Sequence, residues 1–221
     1  MSVAVDAQVD LSSHPKLVKK FQQVRQFSEH LIQPLSAEDC ALQAAPFVSP
    51  VKWHLAHTTW FFETFLLKVN NESYQEYHPE FQYLFNSYYN GVGEQFPRPK
   101  RHLLSRPDLQ EIKNYRKHVD EAMLKFIPMA DDAQLGLIEL GLNHEQQHQE
   151  LILMDLKYNF FQNPLYPVYR QPLDSSSHLI HHDGFERFAG GLFEVGHRGT
   201  TFCFDNETFL LTTPLFFING E

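Results

Sequence analysis

Residues 143–151 read NHEQQHQEL, and the reading of the fold turns on what a pair of histidines four apart, His144 and His148, is doing there. In a helix, positions i and i+4 lie one above the other with Cβ atoms roughly 5–6 Å apart, close enough for both rings to reach one ion. The pair continues a periodic run. Leu137, Leu140 and Gly141 precede it and Leu151 follows at three- and four-residue steps, which predicts a long helix with both imidazoles turned toward the interior of a bundle. The same residues satisfy H-E-x-x-H literally, the pattern in which zinc peptidases hold metal with the histidines and use the glutamate as base. A peptidase also needs a third ligand and Glu145 aimed at a metal-bound water. The H-x-x-G-x-x-H extension is absent and the next glutamate after Glu150 is Glu186, so the pattern alone does not make a peptidase.

Outward from this helix, which starts near Asp131 or Asp132 and runs to about Asn159, three more follow, two from periodicity and one from its start signal and apolar run. Leu17, Phe21, Val24, Ser28 and Leu31 predict a first helix entered at His14-Pro15 and closed before Pro34. The second begins at Ser49-Pro50, a cap residue and a proline at the first helical position, and runs through VKWHLAHTTWFFETFLLKV. It is apolar on nearly every face and is expected to be buried. The third fits residues 108–127, with Leu109, Ile112, Tyr115, Val119, Met123 and Phe126 as its stripe and Pro128 as its stop. Residues 70–107 show no clear period and read as a long ordered loop. The expected fold is mainly α, a four-helix bundle over residues 1–161. Residues 162–184, rich in proline, serine and polar side chains, read as a connector, and residues 185–221 as a short, incomplete β-rich segment.

Composition limits the function. A 43% hydrophobic and 14% aromatic chain of 221 residues supports a real core. No apolar run approaches the roughly 18–20 residues of a membrane span and the N-terminus lacks the form of a signal peptide, so a cytoplasmic protein with no membrane partner is expected. A net charge of −9 without a Lys/Arg cluster argues against nucleic acid. Cys40 and Cys203 suggest neither a disulfide framework nor a thiolate zinc site. Thirteen histidines direct attention to imidazole chemistry. Helix two supplies His54 and His57, and either could complete a three-histidine site with His144 and His148. Arg98, Lys100, Arg101 and Arg106 read either as a solvated basic loop or as a carboxylate clamp, since the guanidinium fork matches a carboxylate.

The stretches SPVKWHLAHTTWFFETFLL, FNSYYNGVGEQFPRPKRHLLSRP and LGLNHEQQHQELILMDLKYNF closely resemble the N-terminal DinB-like bundle of the EgtB-type sulfoxide synthases of ergothioneine biosynthesis. The tail FAGGLFEVGHRGTTFCFDNE resembles the opening of the formylglycine-generating-enzyme-like domain that follows in them. The resemblance implies a non-haem Fe(II) held by His57, His144 and His148, choosing His57 over His54. It implies Gln147 at the trimethylhistidine substrate and Arg98 and Arg101 at the carboxylates of the thiol. The implied chemistry joins the sulfur of cysteine or γ-glutamylcysteine to the imidazole C2 of Nα-trimethylhistidine with O2 as oxidant. Three neutral imidazoles suit it, because they fill one face of an octahedral ion. The family's second domain is far longer than the matching tail here and supplies its catalytic tyrosine, so a truncated, impaired relative with no assignable tyrosine is expected. Its apolar tail residues Phe202, Phe209, Leu211, Phe216 and Phe217 are expected to be exposed and to promote self-association. Two alternatives share the histidines: a metal-binding or interaction module without turnover, and a metal-dependent thiol transferase that needs no O2.

Overall fold

A computed structural model of the chain describes residues 14–70, 72–87, 91–171, 191–208 and 211–215. The described residues form two compact units, the larger one within Gln8–Gln171. In it four long helices pack together: α1 (His14–Ile32), α2 (Val51–Phe62), α5 (Leu109–Phe126) and α6 (Asp132–Phe161). Two short helices, α3 (Lys68–Asn70) and α4 (Phe81–Phe85), lie in the connection between α2 and α5. The fold is mainly α, as the periodicity requires.

α2 occupies the centre. All twelve of its residues are buried, because α5 and α6 pack on it and the remaining sides meet α4 and the turn at Asp39–Ala41. It ends in a π-helical turn, Glu63–Leu67. The buried Glu63 carboxylate there accepts hydrogen bonds from the Tyr115 hydroxyl at 2.6 Å, the Tyr74 hydroxyl at 2.8 Å and the Tyr77 backbone N–H at 3.0 Å. At the other end α2 starts one residue later than expected. Pro50 occupies the cap position, and Ser49 does not cap the helix; its hydroxyl accepts instead from Arg101 Nη1 at 2.8 Å.

α6 starts with a full capping box. The Asp131 carboxylate accepts from the Gln134 N–H at 2.8 Å and the Gln134 side chain accepts from the Asp131 N–H at 2.9 Å. Its buried line differs from the expected one. The deepest positions are Leu135, Ile138, Leu142, Glu145, Ile152 and Leu156, whereas Leu137, Leu140, His144 and Leu151 are only partly covered. The stripe is rotated by one position because Glu145, a charged residue beside the apolar line, is taken inside by two arginines. His144 and His148 therefore flank the deepest line.

Gly141 allows the close approach of α2 and α6. A Cβ there would lie 2.6 Å from Phe62 Cε1 and 2.8 Å from Phe61 Cε1, well inside contact distance. Residues 70–107 hold more regular structure than expected, namely α4 and a 3-10 segment at Arg98–Leu103. Lys52 of α2 pins the end of this connection, donating to the carbonyls of Leu104 at 2.5 Å and Pro107 at 3.0 Å.

The smaller unit contains β1 (Gly191–Val195) paired antiparallel with β2 (Leu211–Leu215), Gly191 opposite Leu215. Phe202 is half-buried, not exposed as expected, with its ring edge-on to Phe204 at 4.9 Å between centroids. The side chains of Phe209, Leu211, Phe216 and Phe217, and the part of the connector from residue 172 to 184, lie outside the described residues. No helix among the described residues is long and apolar enough to cross a membrane. Cys40 is a buried free thiol and Cys203 a partly covered one.

Candidate metal centre

Three histidines from two helices converge. His57 comes from α2 and His144 and His148 from successive turns of α6, and one nitrogen of each lies within 4.8 Å of the others. Their ring centroids are 5.0 Å (His57 to His144), 4.8 Å (His57 to His148) and 4.6 Å (His144 to His148) apart. Among the described residues this is the group that could hold a metal ion.

The His57 ring is fixed on both faces and at one edge. It stacks on Trp53 at 4.7 Å and on Trp60 at 5.5 Å, its neighbours one turn before and after it in α2. Its Nδ1 lies 2.6 Å from the carbonyl oxygen of Phe85, the last residue of α4. A carbonyl only accepts, so the hydrogen of His57 is on Nδ1 and Nε2 carries the lone pair. Trp53 Nε1 donates to the adjacent carbonyl of Leu84 at 3.1 Å. The short helix α4 thus uses carbonyls that a helix C-terminus leaves unpaired to orient two rings of α2. Sequence reading passed over both acceptors, because main-chain carbonyls carry no residue signature.

Burial holds the imidazoles neutral. It lowers His57 and His148 well below the usual histidine value, and the neighbouring rings add to the effect; for His144 burial brings the value to about 4. Nδ1 of His144 is buried with no hydrogen-bond partner. Neutral imidazoles with free lone pairs, one of them carrying an unpaired buried nitrogen, are the donor set that a divalent transition metal takes. The residues present fit such an ion.

His54 is differently engaged. Its Nδ1 lies 2.8 Å from Nδ1 of His148 and its Nε2 3.1 Å from Asp155 Oδ2. With both nitrogens committed it has none to give to an ion, which separates it from His57 on geometry.

Glu145 does not serve the histidines. Its oxygens accept from Arg25 Nη1 at 2.8 Å, Arg116 Nη2 at 3.0 Å and the Ser28 hydroxyl at 2.6 Å, deep between α1 and α5. Arg25 extends the network to Asp120 at 2.7 Å and Thr59 at 2.9 Å. Burial by itself would raise the Glu145 carboxyl, but the two guanidiniums and the Ser28 hydrogen bond outweigh it and hold it at about 2. A general base works best with a pKa near the operating pH and within reach of its proton. Glu145 meets neither condition, and the peptidase reading of H-E-x-x-H fails on this geometry.

The expected substrate-binding residues are placed unequally. Arg101 is buried, with its guanidinium carbon 3.2 Å from the centre of the Trp53 ring and hydrogen bonds to Ser49 and Ser87. It completes a stack of Arg101, Trp53, His57 and Trp60. Arg98 is partly exposed and donates to the Phe47 carbonyl. Gln147 is exposed on α6 beside His148. The positions that sequence reading missed are Asp155 and the role of His54. Asp155 stands seven residues after His148, two turns further along one face of α6, and that spacing was the available signal.

A family model described as the DinB superfamily matches residues 20–152 of the chain. No curated protein matches it.

Proposed function

From the premise that the chain belongs to the DinB superfamily, we propose that its bundle is a divalent-metal centre built on His57, His144 and His148, in the line of the ergothioneine sulfoxide synthases. The observation that carries the reading is the convergence of three neutral imidazoles within 4.8 Å, with the His57 hydrogen pinned away from the centre by the Phe85 carbonyl. The proposed ion is Fe(II). When bound it would supply a common meeting point for a thiol, an imidazole and O2. The chain's own residues hold the ligand nitrogens neutral, orient His57 between two indoles and shield the centre from water on the α2 side. The proposed substrates are Nα-trimethylhistidine, cysteine or γ-glutamylcysteine, and O2, and the proposed outcome is a C–S bond at the imidazole C2 in place of the C2–H and S–H bonds, with one oxygen of O2 on sulfur as the sulfoxide and the other leaving as water. Of the expected substrate residues, Gln147 keeps a candidate role because it is exposed beside His148.

The test begins with metal analysis of anaerobically purified protein, followed by mass spectrometry of products from trimethylhistidine, thiol and O2. One equivalent of iron, lost in His144→Ala and His148→Ala while the helical circular dichroism is retained, is the expected result. Metal retained in both variants would remove the centre. Thiol conjugation that proceeds without O2 would replace the oxidative reading with the transferase one.

A further inference from the structure

Three side chains lie in line behind the metal centre: His148 of α6, His54 of α2 and Asp155 of α6. We propose that Asp155 and His54 are a positioning pair that fixes the hydrogen of His148 on Nδ1 and so presents its Nε2 as the ligand atom. The inference rests on the metal-centre reading above and adds residues to it.

The hydrogen bonds of this chain are anchored at its outer end, on Asp155. Asp155 Oδ2 accepts the Ser49 backbone N–H at 2.8 Å, which ties the carboxylate to the start of α2. The same oxygen lies 3.1 Å from His54 Nε2. A carboxylate offers no hydrogen, so the one N–H of a neutral His54 is on Nε2 and its Nδ1 is a bare acceptor. Nδ1 of His148 is 2.8 Å from that acceptor, and two bare nitrogens at this distance would repel. The hydrogen between them therefore belongs to His148, whose lone pair is left on Nε2. His57 reaches the same state by another route, through the Phe85 carbonyl. Two of the three candidate ligands thus have their tautomer set by an outer partner, one by main chain and one by a carboxylate-imidazole chain. Partners of this kind fix ring orientation and typically account for about 10–100-fold in metal affinity. All members of the chain are buried, His54 and Asp155 at 2% and His148 at 9% exposure, so water does not compete for these hydrogen bonds.

The experiment uses the full chain and Co2+ as probe. Long-range proton–nitrogen NMR correlation of the metal-free, histidine-labelled protein is expected to show the hydrogen on Nδ1 of His148 and on Nε2 of His54; the reverse placement on His148 overturns the proposal. His54→Phe keeps a ring in the packing but removes the acceptor, and its Co2+ dissociation constant should rise by roughly 10–100-fold. His54→Asn puts a side-chain oxygen near the lost Nδ1 and should recover most of that affinity. Equal affinity in wild type and His54→Phe, or equal weakening in both variants, overturns the pairing. Thermal unfolding of the metal-free variants reports folding separately, and the wild-type NMR result stands even if His54→Phe does not fold. A wild type that shows the expected tautomers but takes up no Co2+ would overturn the metal-centre reading while supporting the hydrogen placement.

Discussion

A histidine whose folded pKa lies below its unfolded value takes up a proton first in the unfolded chain. Burial lowers His54, His57, His144 and His148 in this way, His144 to about 4. The metal-free protein should keep the stability due to these rings above about pH 6.5 and lose it as the pH falls from there toward the folded values. Urea midpoints of metal-free protein at about pH 7.5 and about pH 5 measure this; an unchanged midpoint would contradict the buried neutral rings. Glu145 sits in a different network, between Arg25 and Arg116. Its literal place in H-E-x-x-H suggested a base, but pattern matching registers residue type and order, whereas its partners Arg25 and Arg116 come from helices more than twenty residues away in sequence. Glu145→Gln leaves two buried guanidiniums short of their counter-charge, and we expect a loss of about 3–5 kcal/mol in urea unfolding. A loss below about 1 kcal/mol would show that the network is not supporting the bundle.

Among the elements, α1, α5 and α6 were legible from a 3.6-residue pattern and α2 from its continuous apolar run; α1 and α5 end, and α6 begins, within a residue or two of the positions set by Pro34, Pro128 and the Asp131 cap. The face of α6 was not legible, since the pattern treats a glutamate as polar and cannot see the arginines that draw it inside. α4 was missed for a different reason: five residues are too few to show a period, and it is held by Phe81 and Phe85 in the core together with the rings of α2 that use its carbonyls. Gly141 reads as a weak point in a helix, and only the structure shows that it is the contact between α2 and α6. Gly141→Ala should gain about 1 kcal/mol of helix propensity yet destabilise the protein by about 1–3 kcal/mol net, because the new methyl meets Phe61 and Phe62. Phe61 packs at 5.2 Å on the His144 ring, so metal affinity should fall as well. Thermal melting and Co2+ titration of this variant check both effects; a stabilised protein would mean that α2 has room to move.

For the whole molecule, the chain's two compact units reflect a change in composition that the sequence displays, from periodic apolar runs to proline, serine and short strands. Which histidines meet was legible only in part: the i, i+4 pair follows from helix geometry, whereas the convergence of His57 on it is a property of the assembled bundle. The enclosure of α2 on every side has a consequence for how that assembly comes apart. Its amide hydrogens have no local route to solvent, so they should exchange with deuterium only when the entire bundle opens. An ion bound by His57, His144 and His148 is then released in the same event. Exchange along α2 should slow on adding metal by the factor 1 + [metal]/Kd, while the ends of α1 continue to fray at their own rate. Hydrogen-exchange mass spectrometry with and without metal reads that factor directly, and equal exchange of α2 in both would show that α2 opens without releasing the ion. On this view the site and the fold share one free energy, and the lifetime of the bound ion has an upper limit set by the slowest helix in the molecule.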